Sequence, residues 1–286
     1  MQAVLASSGG LAETVRTIDP APDMLLSIHI PKTAGTAWRL YLEDNLGSRA
    51  GFVSPEARDA DQVGSRALAL TEAGDTDAAR TLVEAAGCGL IAGHRALELI
   101  DLWPEAGAMA WLRDPVDRLV SEYLHFRSRP QPMAVAQQIA RGEMGIETYA
   151  GQHYRYYTQI ETRLKARSGP YCFFLTDHAD AALAACREVA GWQGRLPARN
   201  VTPRAQFDGL GDPQTLRARL TPHLQEEIEV HARWREAWQN GNARNAARTT
   251  LAHAPRPVSP GLALRLRRQL GIAKEKLGHA LGRDWR

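Results

Sequence analysis

The stretch LLSIHIPKTAGTAW, residues 25–38, joins an apolar run to a short loop of small, hydroxyl and basic residues. The apolar run over 24–30 contains β-branched residues and predicts a strand. Residues 31–35 predict a turn because they hold a proline and a glycine, and the apolar spacing over 36–46 predicts a helix. A strand, a loop and a helix in this order are typical of α/β folds in which the helix N-terminus binds an anion.

The rest of the chain repeats this alternation. Further short apolar runs predict strands at 88–92, 108–112 and 171–175. The helices predicted around them cover 51–86 in one or two pieces, 96–103, 116–127, 180–190 and 215–240. Residues 130–165 are interpreted as irregular and 194–213 as a loop. Because strands alternate with helices, the sequence predicts a P-loop-like, three-layer α/β fold with a central parallel sheet flanked by helices.

Length and charge divide the chain into three parts. Its 286 residues, 44% of them hydrophobic, are enough for one large core. Residues 1–22 are interpreted as an N-terminal lead-in and 23–240 as the main domain. Residues 241–286 hold eight arginines and two lysines against two acidic residues, a net charge of +8, which leaves −5 for the rest. A general nucleic-acid footprint on the main domain is therefore not expected.

The tail, 241–286, is interpreted as a basic linker followed by an amphipathic helix over about 262–281. Its apolar stripe predicts docking on the main domain or on a sister subunit, in preference to peripheral contact with a membrane. No apolar run reaches the roughly 20 residues of a membrane span, and the first residues lack the pattern of a signal peptide. Three cysteines without a CxxC pair predict free thiols in a reducing compartment, so a cytoplasmic location is expected.

The loop PKTAGT carries the first candidate site. Ala34 and Gly35 are small enough for the backbone to approach an anion closely. The helix-start amides at residues 35–37 and the hydroxyls of Thr33 and Thr36 can donate to it. A Walker A loop places its lysine after the last glycine, whereas Lys32 precedes Gly35 by three positions. Only four of the 35 basic residues are lysine, which marks Lys32 as a specific choice. An ordinary strand–turn–helix junction is the alternative interpretation.

The stretch WLRDPVDRLVSEYLHF, residues 111–126, carries the second candidate site. Arg113 leaves a predicted strand, and Ser121 lies two turns into the next helix. Together they are able to bind a second phosphate. The alternative is a local ion pair between Arg113 and Asp114, with Ser121 as a plain surface serine. Lys32, His94 and Arg113 each follow a predicted strand, and the carboxyl ends of parallel strands share one edge, so we expect these three to converge.

HIPKTAGT and LRDPVDRLVSEY together resemble the two signatures of sulfotransferases that use 3′-phosphoadenosine 5′-phosphosulfate (PAPS). The resemblance is nearest to the heparan sulfate 2-O- and 6-O-sulfotransferase-like group and its bacterial relatives, and it covers roughly 24–240. It implies that Lys32, Thr33, Ala34, Gly35, Thr36 and Ala37 cradle the 5′-phosphosulfate, with Lys32 at the bridging oxygen. It also implies that Arg113 and Ser121 hold the 3′-phosphate. The family loop has a second glycine where this chain has Ala34.

A third segment, ARNVTPRAQ, also resembles the family. The resemblance implies that its Asn200, Thr202 and Arg204 close over the nucleotide. A proline-containing connector is the alternative, because Asn, Thr and Pro are ordinary loop residues. The resemblance implies no metal, and the scattered histidines and cysteines do not predict one either.

His94 is the candidate general base. It follows a predicted strand and a glycine, and histidine has a pKa near 6.5 that suits proton transfer. Related sulfotransferases place a catalytic histidine similarly, and Glu98 is a weak candidate to orient it. The alternative is a packing histidine at a helix start. His29 is interpreted as a semi-buried residue of the first strand, and His125 as a weaker candidate base.

The predicted function is transfer of a sulfuryl group from PAPS to an acceptor hydroxyl, with PAP as product. A carbohydrate acceptor is expected by resemblance alone. In YAGQHYRYYTQIETRLK, residues 149–165, Arg155 and Arg163 are candidates for binding it, and a tyrosine-rich packing segment is the alternative. Two other functions remain open, which are a P-loop kinase and a non-catalytic nucleotide- or glycan-binding protein.

Overall fold

The computed structural model describes residues 24–53, 62–129, 131–153, 155–197 and 209–258. A five-stranded sheet lies at the centre of this part of the chain, and its strand order is β2-β3-β1-β4-β5. All four pairings are parallel. The strands are β1 (Leu25–Ile28), β2 (Ala50–Val53), β3 (Leu90–Gly93), β4 (Gly107–Leu112) and β5 (Tyr171–Leu175).

Helices cover the sheet. They are α1 (Gly35–Leu46), α2 (Val63–Glu72), α3 (Thr76–Ala85), α4 (Pro115–Ser128), α5 (Ala134–Ala140), α6 (Ile146–Gln152), α7 (Tyr156–Lys165), α8 (Ala179–Ala185), α9 (Pro213–Leu220), α10 (Gln225–Gln239) and α11 (Asn242–Leu251). A 3-10 helix, Ala96–Leu102, precedes β4, and another, Thr221–Leu224, joins α9 to α10. The predicted α/β, three-layer architecture with a central parallel sheet is confirmed.

The strand register aligns the loops that carry the candidate site. Ile28, the last residue of β1, pairs with Gly93 of β3 on one side and with Ala110 of β4 on the other. His29 and His94 therefore leave neighbouring strands at the same level. β4 continues for two residues beyond this level, and Arg113 follows its end.

Two separate hydrophobic clusters form the interior. The first, here the sheet core, contains all five strands together with buried residues of α1, α2, α7, α8 and α11. The second, here the helical cap, contains buried residues of α4, α5, α6 and α9. α4 starts at the carboxyl end of β4 but packs in the helical cap, against α5 and α6. The carboxyl edge of the sheet is thus followed directly by the helical cap.

Several predicted elements were wrong. β2 was assigned to a surface-helix region, because its sequence AGFV contains one β-branched residue and a glycine. A Cβ on Gly51 would meet the Val63 side chain at 2.6 Å, so the absence of a side chain lets α2 pack on this edge strand. The irregular segment over 130–165 contains α5, α6 and α7. Two of these are only seven residues long, too short for helical periodicity to be recognised.

The C-terminal part also differs from the prediction. The long helix over 215–240 is split into α9 and α10 by the 3-10 turn that contains Pro222. The linker expected after Gly241 begins with α11, whose Ala243, Ala247 and Leu251 are buried in the sheet core. The predicted helix over 262–281 and the lead-in over 1–22 lie outside the described residues. In the described part of the chain, each helix is too short or too polar to cross a membrane.

Candidate functional site

The loop between β1 and α1 lies at the carboxyl edge of the sheet. Lys32 and Ala34 both adopt left-handed backbone conformations, with φ of 68° and 67°. Ala34 is the N-cap of α1 and gives its amides no side-chain acceptor. The first amides of the 12-residue helix α1 thus begin directly after the loop, and a helix N-terminus of this kind favours an anion.

The loop residues predicted to bind the phosphosulfate are not equivalent. Thr33 is 1% exposed, and its hydroxyl donates to the carbonyl of Ile30 at 2.8 Å. That hydroxyl closes the turn, so it does not take the predicted donor role toward a ligand. Ala37 is buried, whereas Ala34 and Thr36 are exposed at the loop. Only the backbone amide of Thr33 remains for the predicted role.

Three cations, Lys32, Arg113 and Arg129, lie within electrostatic range of one another at this edge of the sheet. Burial lowers the pKa of Lys32, the positive charges of Arg113 and Arg129 lower it further, and the charge of Glu122 opposes them. Among the described residues, Lys32, Arg113 and Arg129 form no ion pair. A cluster of this kind is stabilised when an anion binds, because the anion offsets the mutual repulsion of the cations.

α4 supplies part of the cluster. Ser121, His125 and Arg129 recur every four residues and therefore share one face of this helix and its C-cap. Burial, Lys32 and Arg129 lower the pKa of His125 to about 4. Ser121 is 5% exposed, so it is not the plain surface serine of the alternative interpretation. Sequence analysis missed Arg129, although the spacing of four residues from Ser121 through His125 was the signal available.

The backbone of Arg113 is held by hydrogen bonds to a tyrosine hydroxyl. The hydroxyl of Tyr157, a fully buried residue of α7, accepts a hydrogen bond from the Arg113 N–H at 3.1 Å. It also donates to the Arg113 carbonyl at 2.7 Å. Asp114 bonds Arg217 of α9 at 2.9 Å, so the alternative of a local Arg113–Asp114 ion pair is wrong. Sequence analysis missed Tyr157, and no local signal connects it to a residue 44 positions earlier.

A cavity of about 450 Å³ opens beside Arg113. Val116 and Val120 of α4 form one wall, and Leu210 and Leu216 form another. Arg217 completes the lining, held by Asp114 and Asp117. The volume lies within the range of small-molecule sites, and the mixture of apolar walls with a few charged groups is typical of them.

His94 lies on the other side of the loop. It is exposed, and its ring stacks on that of His29 with centroids 4.0 Å apart and planes inclined by 27°. Both rings line a smaller cavity of about 130 Å³ with Thr36 and Arg39. His29 was predicted to lie inside the first strand, but it is the first residue beyond β1 and faces this cavity. The carboxylate of Glu98, which was suggested to orient His94, accepts a hydrogen bond from Arg95 at 2.6 Å.

His29 is electrostatically disfavoured as a cation. Burial lowers its pKa well below the usual value, and the neighbouring His94, Arg39 and Lys32 act in the same direction. The imidazole of His29 is therefore neutral near pH 7.

A buried polar network supports α4 from inside the helical cap. Arg118 and Glu122 are 0% and 3% exposed and bond at 3.1 Å. The hydroxyl of Tyr149 donates to Glu122 at 2.7 Å, and His153 contacts Arg118. Burial and Arg118 lower the pKa of His153 to about 2, so its ring is neutral. The paired Glu122 carboxylate places a negative charge behind Lys32, which sequence analysis did not anticipate.

The two arginines suggested for the acceptor lie apart from each other. Arg163 pairs with Asp101 at 3.2 Å, and Asp101 precedes β4, so this pair lies at the amino edge of the sheet, away from Lys32. Arg155 precedes α7, and its guanidinium donates to the carbonyls of Ala150 and His153 at 3.4 Å. The predicted residues Asn200, Thr202 and Arg204 lie outside the described residues.

Comparison with known proteins gives no assignment, since no protein-family model matches the chain and no curated protein does.

Proposed function

We propose that the protein is a sulfotransferase that moves a sulfuryl group from PAPS to an acceptor hydroxyl, and that the acceptor is a carbohydrate. The observation that carries the proposal is that Lys32 and Arg113 follow the neighbouring strands β1 and β4 at the carboxyl edge of one parallel sheet, within electrostatic range of each other. These residues lie within the two stretches, HIPKTAGT and LRDPVDRLVSEY, that resemble the PAPS-binding signatures. Their unpaired positive charges favour an anionic ligand.

The residues fit a nucleotide with phosphate groups at both its 5′ and 3′ positions. Lys32 and the first amides of α1 suit one anionic end, and Arg113 with Ser121 suits the other. The apolar walls beside Arg113 leave about 450 Å³ for the rest of such a ligand. Because these cations come from two different loops and from the C-terminal end of α4, we infer a nucleotide ligand that carries more than one anionic group.

In the proposed reaction, PAPS supplies the sulfuryl group. His94 accepts the proton of the acceptor hydroxyl as that oxygen forms a bond to sulfur. Lys32 and the N-terminal amides of α1 stabilise the negative charge that develops on the departing phosphate oxygen. The products are the sulfated acceptor, PAP and a proton carried by His94. No metal takes part in this scheme.

The proposals of a carbohydrate acceptor and of a cytoplasmic location are both supported by the sequence. The three cysteines, Cys88, Cys172 and Cys186, are free and buried, which agrees with a reducing compartment. Arg155 remains a candidate acceptor residue because it adjoins α7, whose Tyr157 contacts Arg113. Arg163 is not proposed further for this role.

Transfer of radiolabelled sulfate from PAPS to a panel of glycans and phenols tests the proposal. Wild-type protein is expected to label at least one glycan. Lys32→Ala is expected to lower the rate by about 100-fold or more, because one preorganised charge at a transition state is worth that much. Lys165→Ala is the matched control, since Lys165 pairs with Glu161 on α7, and it is expected to keep the wild-type rate.

Other outcomes would identify the rival functions. Phosphoryl transfer from ATP or GTP with magnesium would establish a kinase in place of the sulfotransferase. Tight binding of PAP without transfer to any acceptor would establish a nucleotide-binding protein. Near-normal sulfate transfer by the Lys32→Ala protein would remove Lys32 from the reaction.

A further inference from the structure

The imidazole of His29 occupies a space that only a glycine at position 35 leaves open. A Cβ built on Gly35 would overlap three atoms of the His29 ring. Gly35 has no positive φ, so its backbone does not require glycine. The missing side chain at 35 is therefore explained by the His29 ring, which lies between the start of α1 and His94.

The backbone fixes His29 beside His94. The His29 N–H donates to the carbonyl of Gly93 at 2.9 Å, which continues the β1–β3 pairing by one residue. Gly93 has a φ of 150°, and a Cβ there would overlap the Val53 carbonyl of the adjacent strand β2. Both histidines thus directly follow strands whose backbones are closely packed. The centroids of their rings lie 4.0 Å apart.

We propose that His29 is a positioning residue that holds the imidazole of His94 against the acceptor site through the ring stack. The inference rests on the proposed function, because it takes His94 as the base. His94 is exposed and follows β3, and the ring of His29 gives its imidazole a rigid surface on one face. His29 supplies that surface from a partly buried position, wedged against Gly35.

The charge state of His29 suits this role and not that of the base. Its environment of Lys32, Arg39 and His94 disfavours a proton on its ring, whereas a base must accept one. A neutral ring also adds no repulsion when His94 becomes an imidazolium ion. His29 therefore acts through His94, and its removal matters only while His94 is present.

A double-mutant cycle with His29→Ala and His94→Ala tests this relation. His29→Ala is expected to lower kcat about 10- to 100-fold, because a small misplacement of a reacting group has an effect of this size. The affinity for PAP and the KM for PAPS are expected to stay within about twofold. The double variant is expected to be no slower than His94→Ala alone, because residues that act as a unit are non-additive.

Added imidazole provides a rescue experiment. His29→Ala leaves a ring-sized space, so imidazole is expected to restore part of kcat in this variant. Gly35→Ala is the steric counterpart, since its methyl group displaces the His29 ring, and it is expected to lower kcat to the level of His29→Ala.

A measurement that needs no activity separates this inference from the proposed function. The imidazole NMR signals of His94, assigned with the His94→Ala variant, are expected to shift and broaden in His29→Ala, because ring stacking and restraint are lost. Unchanged His94 signals would overturn the inference. A wild-type kcat in His29→Ala would also overturn it, as would a kcat in the double variant reduced by the product of the two single reductions. A wild-type protein that transfers no sulfate would overturn the proposed function, and the NMR comparison would still decide on the stack.

Discussion

The backbone of Ala34 adopts a left-handed conformation that favours glycine. A residue with a Cβ at φ 67° is strained by about 1–2 kcal/mol relative to glycine. Ala34 is also the N-cap of α1, where an alanine side chain accepts no hydrogen bond. The alanine at position 34 therefore lowers the stability of the folded protein.

Ala34→Gly is expected to stabilise the protein by about 0.5 kcal/mol, because relief of the strain exceeds the added entropy of the unfolded chain. Ala37→Gly, three residues along the same helix and buried, is the matched control. It is expected to destabilise the protein by about 1 kcal/mol. Urea denaturation of both variants measures the difference. Destabilisation by Ala34→Gly would contradict the strain at this position.

The Tyr157 hydroxyl holds the backbone of Arg113 through two hydrogen bonds, one accepted from its N–H and one donated to its carbonyl. Tyr157→Phe removes both bonds and keeps the packing of the ring. Because a buried hydrogen bond contributes on the order of 1 kcal/mol, the affinity for PAP is expected to fall about 5- to 10-fold. The kcat at saturating PAPS is expected to stay within about twofold of wild type.

Tyr171→Phe is the control for this variant, because Tyr171 lies at the start of β5, at the opposite edge of the sheet. Calorimetric titration with PAP compares the two proteins. Equal affinities in Tyr157→Phe and Tyr171→Phe would show that the Arg113 backbone does not depend on the Tyr157 hydroxyl.

At the scale of elements, a buried carboxyl group links α10 to the start of α7. Glu227 is fully buried and accepts a hydrogen bond from the Tyr157 N–H at 2.8 Å. Burial raises its pKa to about 7, although Arg118 and this hydrogen bond oppose the shift. The site that supports Arg113 is therefore itself sensitive to pH.

The pH dependence of stability follows from this shift. An unperturbed glutamate has a pKa of 4.5, and folding raises the pKa of Glu227 to about 7. Between these two pH values the folded protein keeps a proton on Glu227 that the unfolded chain releases. The contribution of Glu227 to stability is thus fully present below pH 4.5, falls as the pH rises to 7, and stays constant above. Glu227→Gln cannot titrate, so its stability relative to wild type is expected to rise between pH 5 and pH 8, by about 2 kcal/mol.

Thermal denaturation at these two pH values measures the effect. Glu226→Gln is the matched control, because Glu226 is the exposed neighbour in α10, and it is expected to show no such change. A constant difference between Glu227→Gln and wild type at pH 5 and pH 8 would contradict the raised pKa of Glu227.

The elements that the sequence predicted are those with strong local patterns. β1, β4 and β5 are apolar runs of four to six residues, and α4 begins with Asp114 as N-cap and Pro115 in its first turn, so their positions follow from local rules. β2 and the short helices α5 and α6 are determined by burial against distant elements. The sequence near β2, α5 and α6 therefore does not predict these elements.

In the candidate site too, most residues with a local sequence signal were predicted and those that depend on tertiary contacts were not. Lys32, His94 and Arg113 were found because each follows a predicted strand, and parallel strands end at one edge. His29 and Tyr157 were missed as site residues because their roles depend on tertiary contacts, whereas Arg129 had a local signal in its spacing from Ser121 and His125. The Thr33 hydroxyl was misjudged because its direction depends on the backbone of the turn.

At the scale of the molecule, the site lies where the sheet core meets the helical cap. Lys32 and His94 follow strands of the sheet core, whereas Ser121 belongs to α4 of the helical cap and Arg129 is the C-cap of that helix. Arg113 is the connection between β4 and α4. A ligand that contacts Lys32 and Arg113 together thus bridges two separately packed clusters, and its binding is expected to stabilise both.

Selective recognition of the 3′-phosphate is the most direct test of the central claim that Arg113 and Lys32 bind a bisphosphorylated nucleotide. Calorimetric titrations compare PAP with 5′-AMP, which lacks the 3′-phosphate, in wild type and in Arg113→Ala. Wild-type protein is predicted to bind PAP at least tenfold more tightly than 5′-AMP, because a charge-assisted hydrogen bond contributes about 1.5–3 kcal/mol. Arg113→Ala is predicted to lose most of that preference. Equal affinity of wild type for PAP and 5′-AMP, or tighter binding of ATP or GTP with magnesium, would contradict the account.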